Sequence, residues 1–382
     1  MLPVRPTGTH RLSFFYQSAV TGMAKKPKQR RITGGVDTHK DTHHAAVVLM
    51  NGRRLADAQF PATAAGYRAL LAWMRGFGRI HAVGVEGTGS YGAALARHLM
   101  GKAVTVIEVD RPDRRQRRAK GKSDPLDAYA AADAVLSGRA QTVPKAGDGI
   151  TESIRALHTV RSGAVKSRTA CINELHALVI TAPARLREEL AGRKGADLIR
   201  ACSDLRPTGD LADPDQGTRY ALRRLAGRWQ DLDSEVTDLD VQLAALVKQA
   251  RPDLLQITGV GVETAAQLLS TCGDNPDRLY SEAAFASLCG VSPVPASSGK
   301  TTRHRLNRGG DRQANRALYI IAVSRMAHDA RTRTYVARRT AEGKSKKEII
   351  RCLKRYIARE LYKILTHPKT QTTPAKDLAK AA

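Results

Sequence analysis

Aromatic side chains make up only 4% of this 382-residue chain, too few for base stacking to be the main mode of binding any partner. The five cysteines (Cys171, Cys202, Cys272, Cys289 and Cys352) are odd in number and scattered. No Cys-x-x-Cys pair occurs, so neither a disulfide framework nor a zinc site is indicated, and a reducing cytoplasm fits. No uninterrupted apolar run approaches the ~20 residues of a spanning helix, so no membrane partner is expected. Residues 12–20 are too polar for the apolar region of a signal peptide. Acidic residues are also scarce. Asp and Glu total 36 against 63 Lys and Arg, a formal charge of +27. An excess of that size points to a polyanion, and nucleic acid held through its backbone by Arg and Lys is the reading it favours. A bacterial cytoplasm, with the protein associated with the nucleoid, follows.

The chain then divides by character. Residues 1–31 read as a basic flexible arm that includes Lys25, Lys26, Lys28, Arg30 and Arg31, with Met23 as an alternative start. Residues 32–145 alternate strand and helix. Strands are expected at 32–37, 43–50 and 54–60, with Asn51-Gly52 as a hairpin signal between the second and third. A helix at 64–77 carries Tyr67, Leu70, Leu71 and Met74 on one face. A strand at 80–86, a helix at 90–100 capped by Ser90, a strand at 104–109 and a helix at 124–136 follow. Three meandering strands, then helix, strand, helix, strand, helix, is the order of an RNase H-like (RuvC-like) α/β fold with a mixed sheet.

Four carboxylates fall where that fold would gather a metal site. Asp37 and Glu86 close the first and fourth strands, and Asp124 and Asp127 share a face of the last helix. Taken singly, each has a structural reading as a turn or capping residue. Together, in a chain short of acids, they point to a Mg²⁺ (or Mn²⁺) site, since oxygen ligands suit those ions and paired metals can clamp a phosphodiester. His39, His43 and His44 cluster near Asp37 without an assigned role. Just before Asp124 a basic loop holds Arg111, Arg114, Arg115, Arg117, Arg118, Lys120 and Lys122, placed to bring a phosphate backbone to the acids.

Residues 150–250 carry two coiled-coil series. Ile154, Leu157, Arg161, Ala164, Arg168, Cys171, Leu175 and Leu178 form a weak one, with two arginines in the seam. Leu222, Leu225, Trp229, Leu232, Val236, Leu239, Leu243 and Leu246 form an unbroken one. The stretch between, with Pro183, Gly192, Pro207 and Gly209, reads as the irregular far end of an antiparallel hairpin. Residues 251–366 read as a mainly α C-terminal domain. In it, Gly259 and Gly261 fit a helix-hairpin-helix turn whose N–H groups face a DNA phosphate. A loop with Ser297, Ser298 and Lys300 is ringed by Arg303, His304, Arg305 and Arg308 ahead of a long helix at 312–330. Serine among cations is where a nucleophile for phosphate could sit. Residues 367–382 are a loose tail.

The chain resembles the DEDD transposases of the insertion sequence 110 family over nearly all of residues 32–365. The resemblance rests on Gly35-Val36-Asp37-x-x-Lys40, Val85-Glu86-Gly87-Thr88-Gly89, Lys122-Ser123-Asp124-x-x-Asp127-Ala128, Thr258-Gly259-Val260-Gly261, Pro293 to Lys300, and Arg308-Gly309-Gly310-Asp311-x-x-Ala314-Asn315. It implies a RuvC-like domain with a coiled-coil insertion and a second transposase domain. It implies a recombinase that cleaves and rejoins DNA at element ends and target, guided by a structured non-coding RNA. Ser298, or the adjacent Ser297, would form a covalent phosphoserine link. Asp37, Glu86, Asp124 and Asp127 of a partner subunit would complete the site, in a homo-oligomer that is a dimer, or a tetramer in synapsis. The competing readings are a four-way-junction endonuclease using the acids alone, and a non-catalytic nucleic-acid scaffold.

Overall fold

A computed structural model describes residues 30–109, 123–299 and 304–367. The basic loop from Arg111 to Lys122, Lys300, Arg303, and most of the two terminal segments fall outside the described residues.

The N-terminal part is built on a five-stranded sheet. Its strands are β1 (Arg31–Thr38), β2 (Thr42–Leu49), β3 (Arg54–Pro61), β4 (Arg79–Glu86) and β5 (Val106–Val109), in the order β3-β2-β1-β4-β5. The first three run antiparallel as a meander, with Gly52 at φ +83° in the β2–β3 turn. β4 and β5 add parallel to β1. Helix α1 (Ala64–Phe77) follows β3. It is capped by Thr63, whose Oγ1 accepts from the Gly66 N–H, and buries Tyr67, Leu70, Leu71 and Met74, the expected face. Helix α2 (Ala93–Met100) begins later than expected. Ser90 does not cap it: its hydroxyl donates to the Gly87 carbonyl in a turn that uses up residues 87–92. Helix α3 (Asp124–Leu136) completes this part, with Pro125 in its first turn. β5 is shorter than expected: its register with β4 begins at Val106, and the Thr105 carbonyl just before it accepts from the Val83 N–H at 2.9 Å.

Helices α4 (Ile150–Thr181) and α7 (Pro214–Ala250) pack along each other as the expected two-helix arm. The two seam arginines are not defects. Arg161 pairs with Asp240 across the arm (Nε–Oδ1 2.5 Å), and Arg168 pairs with Asp233 while its guanidinium lies 5.8 Å from the Trp229 ring centroid. The far end is ordered rather than irregular. Helices α5 (Ala184–Glu189) and α6 (Gly195–Asp204) bury Leu186, Leu198, Ile199 and Cys202 against Leu222 and Leu225. Each is too short to register as an amphipathic period in the sequence.

The arm is rooted in a third core made by α8 (Val262–Cys272), α9 (Glu282–Leu288), α10 (Arg312–His328), α11 (Ala330–Ala341) and α12 (Lys346–Thr366); a two-stranded hairpin of β6 (Val294–Pro295) and β7 (His304–Arg305) lies outside this core in the same part of the chain. The expected single helix over 312–330 breaks at Asp329, whose extended backbone lets its carboxylate cap α11 through the Thr332 N–H (2.8 Å). This core is tied to residues 143–151, between α3 and the first turn of α4, by residues distant in sequence. The Asp274 carboxylate accepts from the Gly149 and Thr151 N–H groups at the start of α4, and Arg278 donates to the Val143 carbonyl. Lys145 reaches the Ser270 carbonyl at 2.6 Å, and burial, reinforced by the nearby Arg278 guanidinium and only partly opposed by Asp311, Cys272 and Glu108, holds its pKa below the usual lysine range. No helix among the described residues is long and apolar enough to cross a membrane.

Candidate functional site

Three glycines decide where the carboxylates go. A Cβ on Gly35 would stand 2.1 Å from the Ala128 carbonyl oxygen, and one on Gly84 2.7 Å from that of Ala131. A Cβ on Gly34 would instead meet Met74 of α1 at 2.8 Å. Gly35 and Gly84 therefore face α3, and Gly34 faces the opposite layer. Side chains alternate along a strand, so Asp37 and Glu86, two residues beyond Gly35 and Gly84, also face α3. β1 and β4 run in parallel register, Val36 opposite Val85, so Asp37, one residue before the end of β1, and Glu86, the last of β4, come side by side. The close glycine contact draws the N-terminus of α3, which carries Asp124 and Asp127, over the same edge.

Asp37, Glu86 and Asp127 are all buried, whereas the Asp124 side chain is 46% exposed. Thr38 donates to the Glu86 carbonyl at 2.8 Å and so fixes the two strand ends together. His39 stands between two of the acids. Its Nε2 is 3.2 Å from Asp37 Oδ2 and 3.3 Å from Asp124 Oδ1. One ligand atom from each of Asp37, His39 and Asp124 falls within 4.8 Å of the others, which is metal-ligand spacing. Carboxylates crowded at a partly desolvated edge repel one another, and a divalent cation offsets that cost. The oxygen-rich set fits a hard cation, and the imidazole adds a donor that transition ions accept more readily than Mg²⁺. Sequence reading left His39 without a role because its approach to Asp124 is a tertiary contact. The other two histidines are accounted for by packing. His43 is fully buried, stacks on Tyr67 at 5.6 Å, and is driven below the usual imidazole pKa by desolvation. His44 bonds Asp57 at 2.8 Å.

The second cluster lies on the β6–β7 hairpin. Ser297 and Ser298 are both exposed, followed by Gly299 at φ +55°. Arg305 and Arg308 are exposed on the returning strand and the turn beyond it. The hairpin grows from a tight base. A Cβ on Gly310 would come within 2.5 Å of the Leu288 carbonyl oxygen, and Asn315 Nδ2 donates to the Cys289 and Gly290 carbonyls at 2.9 and 3.1 Å. In the glycine turn before α8, Gly259 adopts φ +83° and packs against Ile321 of α10, while the Gly261 N–H donates to Thr264 Oγ1 at 3.0 Å. That turn is thus engaged with its own helices.

Residues 34–182 match a family model described as a transposase, the DEDD type of IS110, and residues 252–337 match one described as Transposase IS116/IS110/IS902 family. The chain belongs to the IS110 family of transposases. It is therefore an enzyme that acts on DNA. An insertion element IS900 uncharacterized 42 kDa protein of Mycobacterium paratuberculosis is 26% identical over 303 residues, 68% of this chain and 76% of the relative. An insertion element IS110 uncharacterized 43.6 kDa protein of Streptomyces coelicolor is 39% identical over 110 residues, 28% of this chain and 27% of the relative. The two matched spans of the transposase contain the four carboxylates and the two serines respectively. Residues 183–251 and α12 lie outside both.

Proposed function

We propose that this transposase cleaves and rejoins DNA strands through a covalent bond to Ser298, assisted by a divalent cation, Mg²⁺ or Mn²⁺, held by Asp37, Glu86, Asp124 and Asp127. The observation that carries the reading is the glycine-seated approach of α3 to β1 and β4, which gathers acids from three separate segments at one sheet edge. The strand order and mixed directions support an RNase H-like, RuvC-like fold for residues 32–145. The two-helix arm over 150–250 and the helical unit over 251–366, with its glycine turn at Gly259 and Gly261, are read as the coiled-coil insertion and the second transposase domain.

In this scheme the serine Oγ attacks the scissile phosphorus and forms a P–O bond. The sugar oxygen leaves with the bonding pair and takes up a proton, while the hydroxyl proton of serine passes to water. A hydroxyl from a second strand then reverses the step, freeing the serine and joining the new strand without an external energy source. The cation, when bound, supplies charge stabilisation to the phosphate oxygens. Asp37 and Glu86 would hold it from the two adjacent strands, and Asp124 and Asp127 from the first turn of α3. Lys300, Arg303, Arg305 and Arg308, with the basic residues from Arg111 to Lys122, steer the backbone to both clusters. A second copy of the chain would supply the carboxylates to each serine, and a structured non-coding RNA from the element would select the DNA.

Separate Ser298→Ala and Ser297→Ala variants test the mechanism in a strand-exchange assay with element-end DNA. Loss of exchange with Ser298→Ala alone is the expected result. Exchange retained by both variants overturns the serine mechanism and leaves a nuclease using the acids alone.

A further inference from the structure

Between the β6–β7 hairpin and α12 lies a cavity of about 750 Å³. Arg305, Lys344, Arg351, Lys354 and Arg355 line it, and among the described residues the carboxylate facing them is Glu348. That carboxylate is already committed. It accepts from the Ser345 N–H at 3.0 Å and the Ser345 hydroxyl at 2.7 Å in the capping box of α12. Arg355 is turned to Glu282 of α9. The remaining cations give the cavity a strongly positive wall on both sides, Arg305 from the hairpin and Lys344 and Arg351 from the opposite face.

Lys354 is the buried cation of this lining. The side chain is buried, and its ammonium donates to Asn315 Oδ1 at 2.8 Å, a neutral acceptor. Asn315 in turn holds the Cys289 and Gly290 carbonyls at the base of the serine-bearing stretch. Burial lowers the Lys354 pKa, and the neighbouring Arg351 lowers it further. A buried ammonium among like charges is costly, and an anion in the cavity relieves that cost.

We infer that this cavity is a phosphodiester-binding pocket, which holds the backbone of the DNA strand against the β7 side of the hairpin, whose His304 and Arg305 line it. The anion site stands on the cavity alone; that the bound strand is the one attacked rests on the serine mechanism proposed above. α12 lies beyond both spans matched by the family models, so neither match assigns it a role.

The test is binding of the full chain to a fluorescein-labelled DNA duplex across a salt series. Arg351→Ala and Lys344→Ala should each weaken binding several-fold and lower the slope of log Kd against log salt by about one, the signature of one lost phosphate contact. Lys346→Ala removes the same charge from the exposed side of α12, outside the cavity, and should keep the wild-type slope. DNA should also protect Cys352, which lines the cavity, from alkylation. Lys354→Met should behave as Arg351→Ala where its thermal melt matches wild type; Arg351 and Lys344, at the cavity rim, keep the test open if it does not fold. Unchanged slopes in Arg351→Ala and Lys344→Ala overturn the pocket, as does an equal loss in Lys346→Ala or a loss confined to an RNA of the same sequence. Failure of the serine mechanism reads out separately, as strand exchange retained by Ser297→Ala and Ser298→Ala with these slopes unaffected.

Discussion

Gly35 of β1 lies so close beneath α3 that a methyl group on it would stand 2.1 Å from the carbonyl oxygen of Ala128. Backbone meets backbone there, so neither side can yield by rotating a side chain. The contact sets how far α3 reaches over the sheet, and with it the place of Asp124 and Asp127.

Gly35→Ala should therefore cost more than the ~1–3 kcal/mol typical of an overpacked core and should lower DNA strand exchange beyond what the lost stability explains. Gly163, in the middle of α4 with open space around it, is the control. Gly163→Ala should raise stability by about 0.5–1 kcal/mol, the helix-propensity difference. Denaturant melts of both variants check the pair.

The His39 contacts predict metal selectivity. Asp124→Asn should weaken binding of both Mg²⁺ and Mn²⁺ by about tenfold or more, as expected for loss of a charged oxygen near a bound cation. His39→Ala should weaken Mn²⁺ more than Mg²⁺, because imidazole suits transition ions. Titration calorimetry with each ion reads the difference, and equal losses for both would remove His39 from the site.

Across the arm, Arg161 and Asp240 should couple by about 0.5–1 kcal/mol in a double-mutant cycle, because the acid is half exposed and the pair is screened. The coupling should shrink at high salt.

Stability should fall on acidification through His43. Burial depresses its folded pKa, so as pH drops the unfolded chain takes up a proton first. The contribution is fully present above the unfolded value of about 6.5 and is lost as pH falls toward the lower folded value. His43→Phe keeps a ring stacked on Tyr67 and removes the titration. Thermal melts across this range should show a shallower acid loss for the variant than for wild type.

Much of this was legible from residue order. The burial face of α1, the Asn51-Gly52 turn, the strand ends at Asp37 and Glu86 and the seam of α7 are local patterns with periods of 2 or 3.6, and local sterics enforce them. The basic excess, likewise, is a sum over the chain and needs no fold. Tertiary structure decided the rest. That His39 joins Asp37 and Asp124, that Asp274 caps a helix more than a hundred residues upstream, that Arg161 and Arg168 find Asp240 and Asp233, and that Lys354 reaches Asn315 all depend on which segments pack together. No local period encodes such a meeting. Ser90 and the helix break at Asp329 are local features instead, each side chain bonding a backbone group three residues away.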